Sequence, residues 1–275
     1  MNHNRQEIIQ ANIQLHTKLS EVYNETEPHF FPENQEVVRN ILVQLQKSTN
    51  GKKHLDIGCG TGFILNLSHD LFDEVYGIDA TKAMLNRVNT QNGKIKLIEG
   101  FAEELPFNEA EFDLVTGYSF LHHLFEVKPV IQETFRVLKN GGKAYFDLEP
   151  NKDFWLEIKD IKESQIYSPL IQREIDSVKG TAERIEKEYG IDKEIFHKAE
   201  YIKDYKDGIS PADFKNMAKE IGFSEVKVEY YWYPGQGNIL RQNTKETCEA
   251  IDQLLKDLLP NSRYLYKYLR FTLTK

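Results

Sequence analysis

Lys53-His54-Leu55-Asp56-Ile57-Gly58-Cys59-Gly60-Thr61-Gly62 decides the fold of this chain. A short run of strand-forming residues ends in an acid, enters a turn with glycine at every second position, and leads into the apolar start of a helix. Glycine lets the backbone take turn conformations closed to other residues and approach a ligand closely. The first turn of the helix presents unpaired N–H groups beside that loop. A tight turn without a ligand would account for Gly58 and Gly62, but not for three alternating glycines together with Asp56. Outward from this stretch, residues 52 to about 148 alternate short apolar runs with helices. The strands are expected at Lys53–Ile57, Val75–Asp79, Ile95–Glu99, Phe112–Gly117 and Lys143–Leu148, and the helices at 62–70, 81–90 and 127–139. Pro129 starts the last of these helices and Asn140-Gly141-Gly142 is expected to close it. Such alternation implies a parallel sheet covered by helices on both faces.

The flanking segments read differently. Residues 1–50 carry helical apolar periods through Ile8, Ile9, Ile13, Leu15, Leu19 and Val22, then Val37, Val38, Ile41, Leu42 and Leu45. Residues 151–208 interrupt the alternation with a highly charged segment whose apolar residues, such as Phe154, Trp155, Ile158 and Ile161, keep helical spacing. Alternation resumes at Ser210-Pro211, a helix cap and first turn. A strand at 225–233, a helix at 244–259 and a strand at Leu269–Thr274 follow.

Composition sets outer limits. The chain has 275 residues, 40% apolar and 28% charged, as in soluble globular proteins. No apolar run is long enough to cross a membrane, and the first residues lack a secretory pattern, so no membrane partner and a cytoplasmic location are expected. Two cysteines, Cys59 and Cys248, are too few for a disulfide framework or a cysteine-based zinc site, and no metal is expected. The net charge of −8 and the absence of a basic run argue against nucleic acid as a partner.

A second acid, Asp79, ends the next strand in Val75-Tyr76-Gly77-Ile78-Asp79-Ala80. One carboxylate there can accept both hydroxyls of a ribose. Its alternative role is capping the following helix, which Thr81 could also do. A nucleoside in this crevice suits NAD or S-adenosylmethionine. The loop separates them: Phe63 stands where the last dinucleotide glycine would fall, so the spacing suits a cosubstrate without a pyrophosphate.

Five motifs in order resemble the class I S-adenosylmethionine-dependent methyltransferases, of the kind that modify small molecules. They are Asp56–Gly62, Asp79, Gly100–Phe107, Glu111–Thr116 with Leu121-His122-His123-Leu124, and Phe135–Gly142. The resemblance implies an α/β, Rossmann-like, seven-stranded and mostly parallel sheet with an antiparallel last strand. It divides the chain into an N-terminal helical lid (1–50), the cosubstrate-binding core (51–150), a helical cap insertion (151–208) and the C-terminal part of the core (209–275). It also implies residue roles. The loop of Gly58, Cys59, Gly60 and Gly62 holds the methionine part, with Cys59 a small packing residue. Asp56 steadies the loop and the amino group, and Asp79 binds the ribose. Ala80 and Met84 lie on the adenine, Phe101, Ala102 and Glu103 at its edge, and Tyr118 by the cosubstrate. Phe101 replaces the family's usual aspartate, so Glu103 or a carbonyl must take the adenine amino group.

Candidates for a general base are His123 and His122, with Tyr23 behind them; their alternative role is packing. Tyr230–Tyr233 and the end of the insertion at His197–Tyr205 offer aromatic walls for an acceptor; the alternative for Tyr230–Tyr233 is a strand end that alternates between core and solvent. The expected activity is methyl transfer to oxygen or nitrogen of a small molecule, with S-adenosylhomocysteine as product and a homodimer as one possible assembly. The alternatives are a catalytically silent S-adenosylmethionine-binding subunit and an RNA or protein methyltransferase.

Overall fold

The computed structural model describes residues 3–161, 165–242 and 244–275. Seven strands, β1 (Lys53–Ile57), β2 (Glu74–Asp79), β3 (Ile95–Glu99), β4 (Phe112–Tyr118), β5 (Leu138–Pro150), β6 (Glu225–Tyr231) and β7 (Tyr268–Thr274), form one sheet in the order β3-β2-β1-β4-β5-β7-β6. β1 to β5 run parallel, and β7 lies antiparallel between β5 and β6. The antiparallel last strand expected from the sequence is therefore present. Leu55, Ile57, Leu114 and Val115 are fully buried, which follows from a parallel sheet covered on both faces.

The N-terminal helices are α1 (Arg5–Leu19), α2 (Tyr23–Thr26) and α3 (Pro32–Thr49); within the core follow α4 (Phe63–Ser68), α5 (Lys82–Leu85) and α6 (Lys128–Val137). The insertion contains α7 (Lys152–Lys159), α8 (Pro169–Lys179), α9 (Thr181–Tyr189), α10 (Lys193–Ala199) and α11 (Tyr201–Tyr205). Next come α12 (Pro211–Ile221), α13 (Gln236–Gln242) and α14 (Lys245–Asp257). Val130 and Ile131 of α6 and Phe214 and Ala218 of α12 cover one sheet face. Val38, Leu42 and Leu45 of α3, with Ile64 and Leu65 of α4, cover the other. As expected, Ser210 caps α12, accepting from the Asp213 N–H.

Two elements differ from expectation. The helix expected at 81–90 is the single turn α5, because the chain turns again at Asn86–Val88 and reaches left-handed conformations at Gln91 and Asn92. The glycine turn at 140–142 lies within β5 rather than closing α6: Leu138 already pairs with Phe112, and the ladder shifts register before Leu114 meets Lys143.

The insertion is pinched at its base. Ile209 N–H donates to Pro150 C=O, Lys152 N–H to Ile209 C=O, and buried Asn151 donates to the carbonyls of Arg263 and Tyr266. From there α9 and α10 reach back to the N-terminus. Ala11, Leu15 and Leu19 of α1 share a core with Ala182, Ile185, Ile191, Phe196 and Ala199. That core is distinct from those beneath the sheet, so α1 is clamped between the insertion and the strand ends.

Candidate active site

β1 leads to β2 on one side of the sheet while β4 lies on the other, so the connections diverge at the carboxyl ends of β1 and β4. Ligand crevices of open α/β sheets form at such points. Here a partly open cleft forms. Asp56, Gly58, Cys59, Gly60, Asp79, Ala80, Met84, Phe101, Ala102, Glu103, Tyr118, His123 and Tyr23 all line it. Gly62 sits just behind as the left-handed N-cap of α4, and His122 lies behind His123.

The glycine turn is built by close approach. Gly58 has φ +63°, and a Cβ there would lie 2.1 Å from the Phe120 ring. At Gly60, also left-handed, the first atom a Cβ would meet is Met84 Cε at 3.7 Å, so this backbone faces open cleft. Asp79 ties the turn to β2: its Oδ2 accepts from Gly60 N–H at 2.9 Å and its Oδ1 from Thr81 N–H at 2.7 Å. A carboxylate has further lone pairs for a ligand. The Thr81 side chain makes no cap bond, so Asp79 serves the helix start as well as the cleft.

Asp56 ends a buried relay. Its Oδ1 accepts from Thr116 Oγ1 at 2.6 Å, Thr116 accepts from His54 Nε2 at 2.8 Å, and His54 Nδ1 meets Ser68 Oγ at 3.1 Å. Burial, opposed by the Thr116 bond and helped by Asp79, pushes the Asp56 carboxyl up to about 8. Burial pushes Cys59 well up, which makes it a packing residue rather than a reactive thiol.

The histidine pair is split. His122 Nδ1 lies 2.8 Å from Glu149 Oε2, and its Nε2 lies 3.8 Å from Glu200 Oε2. Burial opposes its charge, but Glu149 and then Glu200 outweigh burial and raise its pKa. Burial, followed by the neighbouring His122, lowers His123 well below the usual range. Divergent environments of this kind separate the roles of paired titratable groups. His122, His123 and Glu200 also bring ligand atoms within 4.8 Å of one another. The Lys203 ammonium, paired directly with Glu200, already supplies positive charge there.

Residues 55–146 match the family model described as a methyltransferase domain. A probable S-adenosylmethionine-dependent methyltransferase of Mycolicibacterium smegmatis is 30% identical over 102 residues, covering 37% of this chain and 39% of that protein. The demethylmenaquinone methyltransferase of Geobacillus sp. strain WCH70 is 39% identical over 103 residues, 34% of this chain and 44% of that one. The chain is similar to methyltransferase domains over residues 55–146. It spans about two fifths of the length of these two relatives. The fold extends beyond the matched segment: the S-adenosylmethionine-dependent methyltransferase of Mesorhizobium loti superposes with a TM-score of 0.55 at 16% identity, over 91% of this chain and 99% of that one.

The cleft fits the cosubstrate of such domains. It offers open backbone at Gly60, carboxylates at the ends of β1 and β2, and an apolar shelf at Ala80 and Met84. Sequence reasoning missed Ile8, Ile9, Asn12 and His16 of α1 and His29, which also line the cleft. It also missed Glu149, whose only signal was an acid at the end of β5. His29 is buried, its Nδ1 has no partner among the described residues, and burial pushes its pKa down to about 3. Glu103 is paired with Arg5 of α1. Among the described residues, none of 151–208 lines the cleft. The expected roof instead stands behind α1, because α9 and α10 bury their apolar faces on that helix.

Proposed function

We propose that the protein transfers a methyl group from S-adenosylmethionine to an oxygen or nitrogen of a small-molecule acceptor, leaving S-adenosylhomocysteine. The observation that carries this reading is the meeting, in one cleft, of the Gly58–Gly60 turn, Asp56 and Asp79 with His123. When bound, the cosubstrate supplies a methyl made electrophilic by a positive sulfonium. The chain's residues bind and align. The turn, with Gly62 behind it, holds the methionine part, and Asp56 serves its amino group. Asp79 holds the ribose, Ala80 and Met84 pack on the adenine, Phe101, Ala102 and Glu103 border it, and Tyr118 closes the side. Alignment and water exclusion then contribute most of the acceleration.

His123 is the base for a proton leaving the acceptor, with His122 as its charged neighbour. Tyr23 is a wall: burial, Glu27, Glu200 and Asp79 raise its pKa well above the usual range, so it holds its proton. Among the described residues no Lys or Arg lines the cleft, which suits a small acceptor rather than a phosphate backbone. The Geobacillus relative, named for a demethylmenaquinone substrate, supports a small acceptor. Residues 1–50 form the lid over the cleft and 151–208 its outer cap. Both cysteines are free and buried, in keeping with a cytoplasmic enzyme.

Calorimetry with S-adenosylmethionine and NAD, followed by mass spectrometry of S-adenosylhomocysteine formed with a metabolite extract, tests the proposal. Asp79→Ala should weaken cosubstrate binding by about 1.5–3 kcal/mol, the range for hydrogen bonds to a charged group. Binding of NAD without S-adenosylmethionine overturns the assignment. Cosubstrate binding without turnover favours the silent subunit, and submicromolar RNA binding at physiological salt favours an RNA methyltransferase.

A further inference from the structure

We infer that Ala199 and Glu200, at the end of the insertion, are positioning residues for the His122–His123 pair: they fix which ring nitrogen of His123 is free and hold the balancing charge between the rings. The proton donor rests on the methyltransferase reading above; the positioning itself does not.

The first part follows from what a carbonyl can do. His123 Nδ1 lies 2.8 Å from Ala199 O, and a carbonyl oxygen only accepts. Nδ1 therefore carries a hydrogen, and in the neutral ring Nε2 keeps the lone pair. Among the described residues no hydrogen bond reaches Nε2, and His123 lines the cleft. The backbone of His123 is held from the opposite side, where Asn12 of α1 donates to its carbonyl at 2.9 Å. The insertion and the lid helix thus grip the same residue.

The second part follows from the placement of Glu200, whose carboxylate lies 3.8 Å from His122 Nε2 and 3.9 Å from His123 Nδ1. The rings themselves are 4.1 Å apart, centroid to centroid. The groups around the pair come from several elements: His16 from α1, Glu27 just after α2, Glu149 from β5, and Glu200 and Lys203 from the insertion. Burial would push the Glu200 carboxyl up, but the Lys203 ammonium beside it outweighs burial and the carboxyl stays well below the usual range. His122, between Glu149 and Glu200, is the cation of the pair, and His123 is the neutral ring. As the base acts, the acceptor's O–H or N–H bond breaks, its electron pair stays on the acceptor, and the proton bonds to Nε2. The new imidazolium keeps its Nδ1–H on Ala199, with Glu200 carrying the opposing charge. Among the described residues, none of 151–208 lines the cleft, so this is how the insertion reaches the chemistry.

The test is nitrogen NMR of the full-length protein labelled with ¹⁵N-histidine, the ring signals being identified by their loss in His123→Gln and His122→Gln. At pH 7 His123 should show a protonated Nδ1 and a bare Nε2, and His122 should be protonated at both nitrogens. Glu200→Gln should lower the titration midpoint of His122 by about one pH unit or more, the scale for losing an opposite charge at this distance. A residue with a merely structural role would leave that midpoint in place. A His123 ring protonated on Nε2 at pH 7 overturns the inference. So does an unmoved His122 midpoint in a variant whose circular dichroism matches the wild type. Should Glu200→Gln not fold, the wild-type spectrum still decides the tautomer. S-adenosylmethionine calorimetry on the same sample separates failure of this inference from failure of the methyltransferase reading.

Discussion

Replacing Glu149 with glutamine alters one buried atom and removes much of what holds the rim of the cleft. The Glu149 side chain is fully buried. Its Oε1 accepts from the N–H groups of Phe120 and Leu121 at 2.9 and 2.8 Å, and its Oε2 from His122 N–H and His122 Nδ1 at 3.1 and 2.8 Å. Glutamine can direct its carbonyl at only one of these donor pairs, so its amide NH₂ must face the other. The His122 ring can lose a proton to accommodate it, but a backbone N–H cannot. One orphaned buried donor costs about 1–3 kcal/mol, and breaking a buried ion pair about 3–5 kcal/mol. The two overlap, so a loss of about 3–5 kcal/mol is expected. At 2–4 °C per kcal/mol for a chain of this size class, the melting temperature should fall by about 10 °C. The pH dependence is a sharper signature. His122 has a folded pKa raised above its unfolded value. Its contribution is therefore fully present below pH ~6.5 and is lost as pH rises through the folded value. Urea denaturation at pH 6 and at pH 9 should accordingly show a wider gap between wild type and Glu149→Gln at the lower pH. A variant within about 1 kcal/mol of wild type, with a gap that ignores pH, would refute the account of this carboxylate.

Gly58→Ala should abolish cosubstrate binding measured by calorimetry, because φ +63° strains the new side chain and its Cβ would lie 2.1 Å from Phe120, itself tied to Glu149. S-adenosylmethionine binding at pH 7 should release protons, because Asp56, raised to about 8 when free, ionises opposite the ligand's amino group. Calorimetry in buffers of different ionisation enthalpy reads this release, and Asp56→Asn should remove it. Acid should destabilise the fold through His29 and His54, both buried and lowered to about 3. Their unfolded forms take up protons below pH ~6.5 while the folded forms do not, so stability falls with pH by up to about 1.4 kcal/mol per unit for each. His29→Phe and His54→Asn should flatten the slope in urea titrations between pH 6.5 and 4.5.

Much of the sheet was legible in the sequence because its signals are local. β1 and β3 run as read, and the glycine turn with Asp79 marked the crevice through spacing alone. The short α5 escaped because apolar residues from Met84 to Val88 keep helical spacing while the chain turns beneath them. The wall supplied by Asn12, His16 and His29 was illegible, since polar residues on an amphipathic N-terminal segment read as its solvent face. The packing partner of the insertion was illegible for a related reason. Its periodicity showed which faces are apolar, but not that α9 and α10 would spend those faces on α1. Glu149 and Glu200 act on the histidines through contacts far apart in sequence, which no local pattern records.

The position of β7 between β5 and β6 governs the order in which the sheet is finished as the chain is synthesised. Among the described residues β6 pairs with no strand except β7, and the outer edge of β5 with none until β7 arrives. When residues 1–231 have been made, the crevice end of the sheet can be complete while two strand edges stand open. An exposed edge is a template for pairing with another chain. Synthesis of Tyr268–Thr274 covers the outer edge of β5 and the inner edge of β6 in a single event, so the nascent protein is most prone to aggregation in the interval between β6 and β7. Chains halted in that interval should be captured by chaperones, whereas chains extended past Thr274 should not.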